Sequence, residues 1–164
     1  MNDSVAELIV ERIKIAWDGV AYPGDDKIFT PHSYDDEDIT EYFRGTTWEG
    51  HSAKSLRGYS SAISTFFTPI AYHYWLPAFL IAAIENPEEL DAGLGSLISS
   101  LFPESEGSFF YAEQQERFTL LTDEQKLAVI ATLEFMIEKW GSNSEPMYDE
   151  ETALQYFYSI SNRA

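Results

Sequence analysis

A chain of 164 residues that is 45% hydrophobic and 15% aromatic is sized for one domain with a substantial core, not for a disordered tail. Its formal charge of −18, from 10 basic against 28 acidic side chains, opposes nucleic acid and anionic membranes and favours basic partners. Cysteine is absent, which rules out disulfides, thiolate metal sites and thiol catalysis.

The first stretch, MNDSVAELIVERIK, carries Asp3 and Glu7 where a secretion signal would be positive, so a cytoplasmic protein is expected. Val5, Leu8, Ile9, Ile13, Ala16 and Trp17 share one helical face, with Ser4 as N-cap and Gly19 past the end. The loop AYPGDDKIFTPHSY follows, with its turn signal at Pro23 and Gly24. Ser33 or Asp35 then caps a short helix that turns Ile39, Tyr42 and Phe43 inward and stops at Gly45.

From Gly58 to Ile84 no side chain is charged, a run long enough to suggest a membrane span. Pro69, Pro77, His73 and several Ser and Thr residues within it argue for buried core instead. Thr68-Pro69 reads as a cap followed by proline at the first helical position. Pro77 lacks the N–H that would bond the carbonyl of His73, which predicts a kink or a split, and Asn86-Pro87 ends the element. Residues 87–111, with glycines at 93, 95 and 107, suit one or two short helices.

Thr122 and Gln125 match a capping box ahead of an apolar face formed by Val129, Ile130, Leu133, Met136, Ile137 and Trp140, with Gly141 as the stop. Ala153, Tyr156, Phe157 and Ile160 mark a last helix. Strand-like alternation is weak and no fixed-period repeat is visible. The expectation is a single all-α domain over 1–164, with about six to eight helices around a central, buried, proline-kinked helix. That helix covers 69–84, and its Leu76, Phe79, Leu80 and Ile84 should face the helix from 123 to 140.

Catalytic signatures are missing. There is no Gly-rich phosphate loop, no G-x-S-x-G, no H-E-x-x-H and no Glu-x-x-His pair of the di-metal bundles. No catalysis, cofactor or metal is therefore expected. His73, between Tyr72 and Tyr74, reads as a hydrogen-bonded core histidine; the alternative is a small cytoplasmic hydrolase using His73 or His51 with a carboxylate.

The acids carry more information. Asp25, Asp26, Asp35, Asp36, Glu37, Asp38 and Glu41 cluster against a single lysine, Lys27, without the spacing or glycine of a calcium loop. A solvated helix start explains 35 to 38, but Asp25 and Asp26 lie in a loop beside Tyr22 and Phe29. Acids interleaved with Tyr22, Phe29, Tyr34 and Trp48 fit a surface that captures a basic protein, although Trp48 also suits the core. A second cluster, Glu145, Asp149, Glu150 and Glu151, is accounted for by capping of the last helix.

YPGDDKI at 22–28, EYFRGTTW at 41–48, SAISTFFTPIAYHYWLPAFLIAAI at 61–84, RFTLLTDEQKLAVIATLEFMIEKW at 117–140 and ALQYFYS at 153–159 resemble a family of small bacterial proteins described as a domain of unknown function. The resemblance implies one compact domain and brings no enzymatic activity with it. In character only, the chain is also similar to the acidic immunity proteins that neutralise polymorphic or contact-dependent toxins. On that likeness the expected partner is a basic toxin domain, most simply a nuclease, with no nucleic acid and no membrane bound directly.

Overall fold

In the computed structural model, which describes residues 2–30, 37–140 and 150–161, every regular element is helical. Nine α-helices are described: α1 Asn2–Trp17, α2 Glu37–Phe43, α3 Ala53–Gly58, α4 Pro69–Glu85, α5 Pro87–Leu90, α6 Ala92–Leu101, α7 Tyr111–Thr119, α8 Asp123–Trp140 and α9 Glu150–Ile160. One π-helical turn, Ala62–Phe66, precedes α4 and closes with a bond from the Phe67 N–H to the Ala62 carbonyl. Among the described residues there is no strand, only an isolated antiparallel bridge between Phe29 and Phe67. No described helix is long and apolar enough to cross a membrane.

The helix count exceeds the expected six to eight because the neutral run is not one element. Ser52 caps α3 by accepting from the Ser55 N–H, and the π turn follows before α4 begins. Residues 87–101 divide where Asp91 takes a positive φ of 45°. At the other end α1 starts at Asn2, so Ser4 lies inside the helix and is not its cap. Val5 and Leu8 point outward at 47% and 69% exposure, while Val10, Ile13 and Trp17 are buried. The expected caps Ser33 and Asp35, and the stop at Gly141, lie outside the described residues. Gly19 and Gly45 do terminate α1 and α2, with φ of 75° and 70° that only glycine adopts without steric cost.

The centre is α4. Thr68 accepts from the Ala71 N–H and Pro69 occupies the first turn, as the Thr-Pro pair predicts. Tyr72, Trp75, Leu76, Phe79, Leu80 and Ala83 have no exposed surface, and a helix that is apolar all round must be surrounded. The helices around it are α1, α3, α5, α6, α7 and α8. Each large side chain so buried contributes about 1.5–3 kcal/mol.

Pro77 does not split α4. The carbonyl it leaves without a helical donor, that of His73, accepts instead from the Trp17 indole Nε1–H at 2.7 Å. A residue 56 positions away thus completes the ladder of α4 and locks the end of α1 against it.

A second tie lies beside the first. Gln125 and Thr122 form the predicted capping box, with Thr122 N to Gln125 Oε1 at 3.0 Å and Gln125 N to Thr122 Oγ1 at 3.2 Å. Gln125 is 1% exposed and does more than cap. Its Nε2 donates to the Ala16 carbonyl, an open acceptor at the end of α1, and its Oε1 also accepts from His73 Nε2–H at 2.7 Å. The C-terminal end of α1, the middle of α4 and the N-terminal end of α8 therefore meet at one amide.

Candidate functional site

The sequence directs attention first to the acidic and aromatic segment before α3. Asp25, Asp26, Asp38 and Glu41 are exposed, as a docking surface requires. Their aromatic neighbours are not free. Tyr22 donates to Asp25 at 2.6 Å, accepts from the Gly45 N–H and meets the rings of Tyr74 and Trp75 edge-on. Phe29 is half-buried, and Trp48 lies in the core at 7% exposure, so it is no protruding anchor. Tyr34, Asp35, Asp36 and the side chain of Glu37 lie outside the described residues.

Concave acidic surface lies on a different part of the molecule, where α4 ends and α5 begins. One cleft, of about 450 Å³, runs from Lys14 past Trp48, Glu49 and His51 to Ile81, Glu85 and Glu89. A second, of about 560 Å³, runs from Glu85 and Glu89 over Glu88 to Trp140 and Glu150. Glu85, Asn86 and Glu89 belong to both. Among the described residues five carboxylates thus border the pair of clefts, against two lysines that are themselves engaged: Lys14 with Glu11 at 3.3 Å, and Lys139 over the Phe135 ring at 5.3 Å. Glu49, Glu85, Glu88 and Glu89 are exposed, and Trp140 is half-buried on the floor.

The two histidines among the described residues each face neutral partners. Because Gln125 Oε1 accepts from His73, the Nε2 of His73 carries its proton. His51 lies with Nε2 2.8 Å from the Thr47 carbonyl and Nδ1 2.7 Å from the Tyr42 hydroxyl, so Nε2 donates and Nδ1 accepts. Burial lowers both imidazoles below their ordinary pKa of 6.5, partly offset by these hydrogen bonds. Neither is hydrogen-bonded to a carboxylate among the described residues, which is the arrangement a hydrolytic dyad needs. No group of acids and histidines among the described residues could hold a metal ion.

A third feature is a hydroxyl-lined pocket of about 260 Å³ between the π turn, α6 and α7. Ser64 and Thr65 come from the π turn, Ser96, Ser99 and Ser100 from α6, and Arg117 from α7. Arg117 is 6% exposed. It lies 4.8 Å over the Tyr72 ring, and one terminal nitrogen donates to the Phe67 carbonyl at 2.9 Å and to Glu113 at 3.0 Å. Its Nε has no acceptor among the described residues. Ser100 donates to the Leu97 carbonyl, so the Tyr72 hydroxyl donates to Ser100; burial pushes that hydroxyl up to about 12, and it stays protonated.

A family profile described as a family of unknown function, DUF6714, matches residues 7–160. The chain belongs to that family. No curated protein and no solved structure matches it. The DUF6714 match includes residues 87–112, the stretch outside the motifs on which the resemblance rests.

Two groups of residues in this DUF6714 domain escape a reading of the sequence alone. Glu85, Glu88 and Glu89 flank the Asn86-Pro87 helix stop, which accounts for them locally, and only the approach of α8 and α9 makes them a cleft. Arg117 carries one signal, a lone cation in an apolar segment, RFTLL, of a chain with few basic residues.

Proposed function

We propose that this DUF6714 protein is an immunity protein, which binds a basic bacterial toxin, most simply a nuclease, and blocks it by occlusion in the cytoplasm. The observation that carries the reading is the pair of carboxylate-bordered clefts that share Glu85 and Glu89. Lysine and arginine side chains fit such grooves: the carboxylates take the charge while Trp48, Ile81 and Trp140 receive the aliphatic stems. The net charge of −18 extends the attraction beyond the contact and speeds encounter. The exposed acids Asp25, Asp26, Asp38 and Glu41 form a second surface of the same sign. The protein acts here by binding, without catalysis of its own.

Co-expression tests the reading, with the toxin domain encoded beside this gene, followed by pull-down and growth rescue. Glu85→Gln, Glu88→Gln, Glu89→Gln and Glu150→Gln together should weaken binding and slow association, with the rate falling further as salt rises. Removing an acid seated against a buried arginine of the toxin costs about 2–5 kcal/mol, much of it the penalty of the arginine left unpaired, whereas loss of a rim acid mainly changes the on-rate. The parallel variant Asp25→Asn, Asp26→Asn, Asp38→Asn, Glu41→Gln separates the two surfaces. If both variants bind and protect as the parent does, the acidic mechanism is wrong. If no adjacent gene encodes a toxin and no basic protein is captured, the immunity reading fails.

A further inference from the structure

The pocket between the π turn, α6 and α7 is built from parts that structural need alone does not explain. A π turn is rare and costs helical regularity, and such turns recur beside functional sites. This one carries Ser64 and Thr65 to the pocket wall. Arg117 is a buried cation whose Nε lacks an acceptor among the described residues, although buried donors are almost always paired. Ser99 lines the same wall.

The wall is also held rigidly. Gln114 is 5% exposed, accepts from the Glu104 N–H at 2.7 Å and donates to the Phe102 carbonyl at 2.6 Å. That clamp fixes the strap after α6 and sets Glu104 in the pocket wall. Phe110 lines the pocket and is 45% exposed; Phe109, edge-on to it at 5.1 Å and 83% exposed, is not part of the lining.

Electrostatics narrows the ligand. The charge of Arg117 is already matched by Glu113, and Glu104 leaves the wall net negative. An anion would face two carboxylates, and a cation would find only Glu104, which already accepts from the Ser108 hydroxyl, as a partner beside a buried guanidinium. A neutral molecule meets neither penalty. Ser64, Ser96 and Ser100 give their protons to backbone carbonyls and present acceptors, Thr65 and Ser99 add further hydroxyls, Glu104 and Glu113 accept and the guanidinium donates, the complement of a molecule dense in hydroxyl groups. The partly exposed Phe110 ring suits the apolar C–H face that such a ring also presents. The cavity lies at the small end of ligand pockets, on the order of 300 Å³, which fits one ring.

We infer that this pocket binds a neutral polyhydroxylated ring of monosaccharide size, independently of the acidic clefts. The test is a ¹H–¹⁵N correlation spectrum of the full chain, titrated separately with D-glucose, D-galactose and N-acetyl-D-glucosamine at millimolar concentration. At least one sugar should shift the amides of Ser64, Thr65, Ser99 and residues 109–117 saturably, leaving those of Glu85 to Glu89 in place. Inorganic phosphate, acetate and ethanolamine should not shift them. Arg117→Gln risks misfolding, so two surface-accessible changes carry the test. Ser99→Leu should weaken binding about tenfold or more by filling the cavity, and Phe110→Ala about threefold to tenfold. The inference is overturned if none of the three sugars shifts these amides, if an anion or the amine does so instead, or if both variants bind as the parent does.

Discussion

Replacement of Trp17 tests whether a side chain can stand in for a missing backbone donor. The Trp17→Phe change keeps an aromatic ring but removes the Nε1–H that bonds the His73 carbonyl at 2.7 Å. Leaving that acceptor unpaired costs about 1–3 kcal/mol. Trp17 has no exposed surface, so the smaller ring also opens a cavity worth roughly 1–2 kcal/mol more. The total expected loss is roughly 2–5 kcal/mol, measurable by urea unfolding followed through helical ellipticity. The decisive comparison is the same change in a Pro77→Ala background. There position 77 regains an N–H, which reaches the His73 carbonyl in ordinary helical geometry. The cost of Trp17→Phe should then shrink to its cavity part, giving a coupling of about 1–3 kcal/mol between residues that the chain separates widely. If the two costs agree within about 0.5 kcal/mol, the indole is not replacing the lost donor and the argument is wrong.

Gln125→Leu leaves the Thr122 N–H, the His73 Nε2–H and the Ala16 carbonyl without their partner, and should destabilise by roughly 2–4 kcal/mol in thermal unfolding. A loss comparable to an ordinary surface cap would show that the amide matters only to α8. Gly93→Ala places a methyl 2.7 Å from Leu90 Cδ1 and 3.1 Å from its Cγ. Because Leu90 is fully buried, about 1–3 kcal/mol of overpacking strain is expected, despite the better helix propensity of alanine. His51 and His73 are both held below 6.5, so their neutral forms are favoured in the folded state. Their contribution is complete above the unfolded pKa and is lost as pH falls through the folded value. The stability gap between the parent and the His51→Asn, His73→Asn variant should therefore narrow on acidification below about 6.5; a gap that widens refutes the assignment.

The parts of the fold legible in the sequence are those written in short-range chemistry. Thr68-Pro69 and Thr122–Gln125 mark the starts of α4 and α8 because caps act within a single turn. The burial of Phe79 and Leu80 follows from an uncharged run too interrupted for a bilayer. By contrast, Val5 and Leu8 satisfy the period of an inward face and still point to solvent, because periodicity cannot say where a partner helix ends. The missing donor at Pro77 is visible in the sequence, but the identity of its substitute, Trp17, is a tertiary fact. The same limit governs the sites. An excess of acid is plain from composition, and Asp25 and Asp26 are exposed as expected, yet the concavity at Glu85 and Glu89 arises only where two separate helices approach.

The amide bridge from Gln125 to Ala16 spans 109 positions, and this has a consequence during synthesis. At about 5–20 residues per second, the ribosome needs roughly 5–20 s to make the partner that anchors the end of α1. Throughout that interval Ile13 and Trp17, wholly buried in the finished molecule, have no α8 to cover them. Nascent chains stalled before residue 122 should therefore present a sticky first helix to chaperones, and chains stalled well past residue 140 should release them.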